Sequence, residues 1–188
     1  MGRWKKARPI RHARRAGVEM TDHSHGMAFV ALGSNLGDSA EIVRRALVRL
    51  QTLSNAPLLR SSLWRSTPVD CPAGSPPFVN AVAGVHPRAN ETPQSLLRQL
   101  QVLEAEFGRR RGTIPNEPRL LDLDLIAFGA RMVNLPELVL PHPRAHLRRF
   151  VLLPLAEIAP EFVLPGQRAS AAELLGAMSN IDAPVRLE

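Results

Sequence analysis

Apolar residues along this chain recur at two spacings, which separate predicted strands from predicted helices. Residues 28–32, AFVAL, form a short apolar run that indicates a buried strand. Residues 57–66 and 78–86 are predicted as two further strands, and residues 120–127, LLDLDLIA, as a fourth. Between these strands, apolar residues recur every three or four positions, which is typical of helices that bury one face.

Three positions carry side chains that commonly begin a helix. Each residue can accept a backbone N–H bond, and a partner typical of the first helical turn follows it. These pairs are Asp38 with Glu41, Thr92 with Pro93, and Ser170 with Glu173. The second helix is predicted to end at Gly108.

The predicted elements follow the order β-α-β-β-α-β, which favours an α+β sandwich of the ferredoxin-like type. Residues 131–140 are predicted to be extended and residues 144–158 partly helical, so we expect an added C-terminal hairpin and helices. Residues 1–26 show no apolar periodicity, and we interpret them as a disordered, basic N-terminal extension. Residues 27–188 then form one domain.

Charge and cysteine content exclude several classes of protein. The net charge is +7, but residues 1–27 hold seven basic and two acidic residues, so the remainder is nearly neutral and does not resemble a nucleic-acid binder. The single cysteine, Cys71, excludes an internal disulfide and fits a reducing, cytoplasmic setting. No apolar run is long enough to span a bilayer, so we expect no membrane partner. We also expect a monomer whose partners are small molecules rather than nucleic acid.

Asp122 and Asp124 carry the strongest local signal for chemistry. Side chains alternate between the faces of a strand, so both carboxylates point the same way while the neighbouring leucines point into a core. Two like charges on one face repel, and a divalent cation relieves that repulsion. Mg²⁺ favours one or two carboxylates together with substrate phosphates. The alternative is the solvent-facing side of an edge strand.

An arginine-rich segment, residues 109–119, precedes the two aspartates. Arginine binds phosphate oxygens through two parallel hydrogen bonds, and this segment contains Arg109, Arg110, Arg111 and Arg119. Metal-binding carboxylates beside such a segment predict an enzyme that uses Mg²⁺ and ATP to phosphorylate a small hydroxyl-bearing molecule. We expect the segment to close as a lid when nucleotide binds. A solvated basic loop is the alternative.

Further candidate ligands are polar side chains near the predicted element ends. Asn80 could offer a donor and an acceptor to a flat heterocycle, although stabilising a turn explains it equally well. Gln101 and Glu104 could face a ligand from the second helix or could lie on the surface. His142 could bind a ligand or be structural. The sequence has no phosphate-binding loop of the G-x-x-x-x-G-K-[ST] type and no G-x-G-x-x-G motif.

Taken in order, eight short motifs resemble the 6-hydroxymethyl-7,8-dihydropterin pyrophosphokinase family of folate biosynthesis, over about residues 28 to 165. They are Ala31 to Gly37, Ser66 to Pro68, Phe78 to Ala81, Glu104 with Gly108-Arg109, Pro118 to Leu125, Pro141 to Arg144, Arg148 with Phe150, and Pro154 to Pro160. The resemblance implies a ferredoxin-like fold, ATP and two Mg²⁺ ions. It also implies transfer of the β,γ-diphosphate of ATP to the pterin hydroxymethyl oxygen, with release of AMP.

The resemblance implies roles for individual residues. Asp122 and Asp124 would bind both Mg²⁺ ions and act in catalysis, and Arg109 and Arg119 would clamp the transferring phosphates. The ATP site would involve Gln101, Glu104 as a support from the helix, Arg111, Leu125 through its backbone, His142 and Arg148. The pterin would be held by Thr67, Pro68, Val69, Asn80 and Phe150.

The chain departs from the family pattern in three places. Residues 115–117, Pro-Asn-Glu, replace an aromatic or basic residue and a glycine in the lid. Cys71 replaces a frequent glycine, and Phe78 a frequent tyrosine. Three alternatives remain: another ATP-dependent transferase on the same fold, an RNA-binding ferredoxin-like domain with a basic arm, or a nonfunctional relative. Few strand aromatics are available for base stacking, which argues against the RNA-binding domain.

Overall fold

The computed structural model describes residues 26–108, 118–179 and 183–187. The expected disorder of the N-terminal extension and nearly all of the expected lid, with Arg109 and Arg111, lie outside the described residues. The strands are β1 Ala28–Ser34, β2 Leu59–Arg60, β3 Trp64–Ser66, β4 Phe78–Val85, β5 Asp122–Phe128, β6 Val133–Leu135, β7 Leu138–Leu140 and β8 Val185–Arg186. The helices are α1 Ser39–Leu50, α2 Pro93–Glu106, α3 Arg149–Ile158 and α4 Ala171–Gly176.

The fold is a mixed α/β arrangement built on one antiparallel sheet. Its strands run in the order β5-β1-β4-β3-β8, with β2 also paired to β4, and β6 and β7 form a separate hairpin. In the central strand β1, Gly33 lies opposite Asn80 of β4 on one side and Asp122 of β5 on the other. The ends of three neighbouring strands therefore bring together polar residues that are distant in the sequence.

Both faces of the sheet are covered, because β1 is apolar on both sides. Val30 and Leu32 belong to a core cluster with residues of α1 and α2. Phe29 belongs to a second cluster with residues of α3 and α4, and its ring lies 4.5 Å from that of Phe162. Among the described residues, no helix is long and apolar enough to cross a bilayer.

The predicted helix starts are confirmed, with one difference. Thr92 and Ser170 each form a reciprocal capping box. Asp38 accepts the Glu41 N–H at 3.1 Å, whereas the Glu41 side chain pairs at 4.0 Å with Arg44 on the next helical turn. A carboxylate can serve either partner, and the arginine on the same helix face competes for it.

The predicted single strand over 57–66 is wrong, because two short strands replace it. Ser61 at the break accepts the Val82 N–H through its hydroxyl at 2.9 Å. Ser62 turns away and donates its N–H and hydroxyl to Glu157 on α3, at 3.0 and 2.6 Å. Ser61 still donates its N–H to the Val82 carbonyl at 3.0 Å, whereas side chains accept the Val82 and Ser62 N–H groups in place of ladder bonds. The extended segment predicted at 131–140 is the hairpin of β6 and β7.

Candidate functional site

The carboxylates of Asp122 and Asp124 lie on one face of β5, as the alternation predicts. Leu123 and Leu125 on the other face are 5% and 4% exposed and belong to the core shared with α1 and α2. The aspartates line a small cavity of about 80 Å³ on the α3 side of the sheet. The core leucines fix the strand, so both carboxylates face this cavity.

Glu104 on α2 supports the same strand from the opposite side. Its side chain is 5% exposed, and its Oε1 accepts the Leu123 N–H at 2.7 Å, between the two aspartates. β5 lies at the sheet edge, where a backbone donor would otherwise lack a partner strand. Glu104 therefore fixes the strand rather than lining the cavity. Gln101 is exposed on α2 and also lies away from the cavity lining.

Arg119 enters the cavity from the segment before β5. Its Nη1 lies 3.1 Å from Asp122 Oδ1, and both side chains are mostly buried. This arginine already neutralises part of the aspartate charge, and it lies where it would meet a phosphate brought to Asp122 by a divalent cation.

Arg148 and Phe150 enter from the start of α3 on the other side. The Arg148 guanidinium lies over the Phe150 ring, 5.4 Å from its centroid. Burial and the nearby Arg144 lower the pKa of Arg148, while Asp124, Asp70 and Asp122 act in the opposite direction. A partly desolvated guanidinium stacked on an aromatic ring is well placed to bind an anion next to a flat ring.

His142 lies beside this cluster as a neutral imidazole. Its Nδ1 accepts the Arg144 N–H at 3.2 Å, so the ring proton lies on Nε2. Burial, Arg148 and Arg144 lower its pKa to about 4. The residue is therefore a neutral donor at pH 7 rather than a second cation.

Asn80 on β4 faces the aspartates across β1. The residue is 5% exposed, and its amide nitrogen donates to Ser66 Oγ at 2.9 Å and to the Trp64 carbonyl at 3.3 Å. These bonds use both amide hydrogens, so only the carbonyl oxygen remains for a ligand, in contrast to the expected donor and acceptor. A Cβ added at Gly33 would lie 3.7 Å from this oxygen.

The rest of the cavity wall comes from the proline-rich loop between β3 and β4. Thr67 and Val69 line the cavity, whereas Pro68 of the same loop is not among the lining residues. Cys71 of this loop also lines the cavity. Sequence reasoning missed the small floor residues Ala31 and Gly33 as well as Ser66 and Val151; the two small residues at alternate positions of β1 were the available signal.

The two carboxylates and the arginines beside them suit a magnesium ion that binds together with phosphate groups. Within the described part of the chain, no cluster of three or more metal-ligating side chains occurs. Two carboxylates next to arginines match Mg²⁺, which usually takes one or two protein carboxylates and completes its shell with phosphate oxygens and water. A larger groove between α1 and α2, lined by Arg45, Arg49 and Glu106, lies on the other side of the sheet from this carboxylate pair.

Known proteins match most of this chain in sequence. The family model described as 7,8-dihydro-6-hydroxymethylpterin-pyrophosphokinase (HPPK) matches residues 29–160. The 2-amino-4-hydroxy-6-hydroxymethyldihydropteridine pyrophosphokinase of Pseudomonas aeruginosa is 43% identical over 150 residues, covering 79% of this chain and 90% of the relative. The enzyme of the same name from Haemophilus influenzae is 40% identical over 142 residues, covering 75% and 86%.

A solved structure shares the fold at low sequence identity. The crystal structure of wild-type Plasmodium falciparum HPPK-DHPS with SDX-DHP matches with a TM-score of 0.64 at 13% identity, over 80% of this chain. The match spans only 44% of that longer chain, so it speaks for the fold alone. From the family model and the bacterial relatives, the chain belongs to the 7,8-dihydro-6-hydroxymethylpterin-pyrophosphokinase family.

Proposed function

We propose that this protein transfers the β,γ-diphosphate of ATP to the hydroxymethyl oxygen of 6-hydroxymethyl-7,8-dihydropterin, a step of tetrahydrofolate synthesis. A bond forms between the pterin oxygen and the β-phosphorus, the hydroxyl proton is released to solvent, the bond from that phosphorus to the α,β-bridging oxygen breaks, and AMP leaves. Membership of the family supports this reaction. The observation that carries it in the structure is one cavity with two carboxylates and two arginines beside a buried amide and an aromatic ring.

The phosphate side of the site is assigned to β5 and the segments around it. Asp122 and Asp124 would hold two Mg²⁺ ions, which when bound neutralise phosphate charge and polarise the phosphoryl oxygens. Arg119 would donate to the transferring phosphates, with Arg109 assigned the same role. The nucleotide would be bound by Arg111, Arg148, His142, Gln101 and the Leu125 backbone, with Glu104 holding β5 in place.

The pterin side is assigned to the wall opposite the aspartates. Phe150 would stack against the ring, the Asn80 carbonyl oxygen would accept a ring N–H, and Thr67, Pro68 and Val69 would form the edge. Because Asn80 and Asp122 lie on either side of Gly33, a pterin in this position would bring its hydroxymethyl group towards the aspartates. No activated serine or cysteine is needed, since phosphoryl transfer requires mainly positioning and charge neutralisation.

The strand order and direction support a fold of the ferredoxin-like type. Counting β2 and β3 as one interrupted strand, the first four strands lie side by side in the order fourth, first, third, second, all antiparallel. The β6–β7 hairpin, α3 and α4 would be additions to that core. We also propose that residues 27–188 form the catalytic domain and that the protein acts as a monomer.

Product analysis tests the reaction directly. Incubating the protein with ATP, Mg²⁺ and 6-hydroxymethyl-7,8-dihydropterin is expected to yield AMP and a pterin diphosphate in equal amounts. ADP as the only nucleotide product would contradict diphosphate transfer and favour an ordinary kinase on the same fold.

A further inference from the structure

Asn35, the residue after β1, connects two segments that surround the cavity. It is only 3% exposed. Its Oδ1 accepts the Arg119 N–H at 2.9 Å, and its backbone N–H donates to the Arg119 carbonyl at 3.2 Å. Its Nδ2 donates to the Pro76 carbonyl at 3.4 Å. One buried amide therefore joins the segment carrying Arg119 to the end of the proline-rich loop.

This side chain continues the sheet where the backbone leaves it. The ladder between β1 and β5 ends at Gly33 and Asp122, and the chain then turns through Gly37, whose φ is +66°. The Asn35 side-chain carbonyl takes the place of the main-chain acceptor that a longer strand would have offered to Arg119. The backbone of Arg119 is thereby held three residues before Asp122, the residue its guanidinium contacts.

We propose that Asn35 is a positioning residue for the diphosphate transfer, and that it couples the phosphate side of the site to the pterin side. This inference rests on the proposed function. Through Arg119 it sets the reach of the guanidinium to the transferring phosphates. Through Pro76 it sets the end of the loop that carries Thr67 and Val69.

Asparagine suits this position because the two bonds need an acceptor and a donor on one short side chain. Asn35→Asp keeps an acceptor for the Arg119 N–H but places a carboxylate oxygen against the Pro76 carbonyl. Asn35→Ala leaves the Arg119 N–H and the Pro76 carbonyl without this partner in a nearly solvent-free place. The two variants therefore separate the two connections.

The experiment compares both variants with wild type and with Asn134→Ala, an exposed asparagine of the β6–β7 hairpin. Asn35→Ala is expected to lower kcat about 10- to 100-fold, the range for residues that orient groups in direct contact with a substrate or metal, with a much smaller effect on KM for ATP. Asn35→Asp should lose less in kcat, and Asn134→Ala should match wild type. Rates are expressed per folded molecule, measured by circular dichroism.

Coupling is measured as the ratio of pterin dissociation constants without and with Mg²⁺ and α,β-methylene-ATP, whose bridging carbon blocks diphosphate transfer. Coupling ratios of about 5 to 150 are typical, and we expect a wild-type ratio in this range that falls towards 1 in both Asn35 variants. Wild-type kcat and an unchanged ratio in Asn35→Ala would overturn the proposal. So would a loss of rate fully explained by a smaller folded fraction.

Hydrogen exchange at the Arg119 amide separates this inference from the proposed function. Exchange in the ligand-free protein should quicken in Asn35→Ala and stay slower in Asn35→Asp. Unchanged protection in Asn35→Ala would refute the connection even in an active enzyme. A wild-type protein that forms no AMP would instead refute the reaction and with it the positioning role of Asn35.

Discussion

At the scale of single residues, Asp122 and Asp124 carry the charge that the proposed chemistry needs. Asp122→Asn and Asp124→Asn keep the side-chain size but remove the charge. Because metal-ion charge stabilisation is worth several kcal/mol in a transition state, each variant should lose on the order of 10³-fold in kcat while remaining folded. Steady-state AMP formation and circular dichroism measure both quantities.

Glu137→Gln is the matched control for these variants. Glu137 lies exposed in the turn between β6 and β7, so its carboxylate can be neutralised without touching the cavity. It should retain wild-type activity. Full activity in either aspartate variant would remove that residue from the metal site.

The lowered pKa of His142 predicts that the stability of the protein depends on pH. Burial, Arg148 and Arg144 hold its folded-state pKa near 4, whereas the unfolded chain titrates near 6.5. Between these values the unfolded state binds more protons, so the free energy of unfolding falls as the pH falls from about 6.5 to about 4. After allowance for solvent screening, the contribution of His142 should be about 1–2 kcal/mol.

Urea unfolding of wild type and His142→Gln at pH 7 and pH 4.5 isolates this contribution. The two proteins share their other titrating groups, so the difference between their pH-dependent losses reports on His142. The variant should lose less stability on acidification. Equal losses in the two proteins would mean that the folded imidazole titrates normally.

The role of a residue could be predicted when it follows from its neighbours in the sequence, and not when it depends on distant partners. The shared face of Asp122 and Asp124 follows from strand alternation alone, and the structure confirms it. The hydrogen bonds of Asn80 could not be predicted, because its amide donors are taken by Ser66 and Trp64 of the neighbouring strand. The same holds for Asn35, whose partners lie far away in the sequence.

At the scale of elements, Glu157 of α3 stabilises the segment between β2 and β3, where the strand is interrupted. Its carboxylate accepts bonds from Ser62 and, at 3.0 Å, from the Trp64 indole N–H. Burial acts to raise its pKa, but these bonds and Arg186 outweigh burial and leave the pKa lowered. Since Trp64 also accepts from Asn80, the helix indirectly fixes the wall of the cavity.

Glu157→Ala should therefore destabilise the fold and disturb β3. The bonds to a charged acceptor are worth about 1.5–3 kcal/mol each and are not additive, so we expect a loss of about 2–3 kcal/mol in urea unfolding. In a form lacking residues 1–26, Trp64 is the only tryptophan, and its fluorescence should change in the folded variant. An unchanged spectrum and stability would contradict this role of Glu157.

Helix starts could be predicted at this scale, because Asp38, Thr92 and Ser170 bond to backbone within three residues of themselves. The break in the strand predicted over 57–66 could not. Its cause is a glutamate 95 residues later in the chain, a contact that periodicity cannot reveal.

At the scale of the whole molecule, the core arrangement follows from which strands are apolar on both faces. The run AFVAL indicated burial on both sides, and Phe29 and Val30 are fully buried on opposite faces of the sheet. The order of elements was predicted up to β5. The layer formed by α3 and α4 was predicted only as added helices, because its packing depends on contacts such as Phe29 with Phe162.

The N-terminal limit of the folded unit should lie at Met27. Its side chain is 1% exposed and its carbonyl accepts the Gly129 N–H at 2.8 Å. A Cβ on Gly84 would clash with its sulfur, so the thioether fills the space that glycine leaves. A protein of residues 27–188 behind a Gly-Ser leader should match the full chain in activity and in free energy of unfolding.

Met27→Ala in that protein should cost about 2–5 kcal/mol, the range for emptying a buried methionine site, and Gly84→Ala about 1–3 kcal/mol through overpacking. Urea unfolding measures the free energy of unfolding of the truncated protein and of the two variants. A large loss on removing residues 1–26 alone would show that the folded unit begins earlier, whereas a neutral Met27→Ala would place its limit within β1.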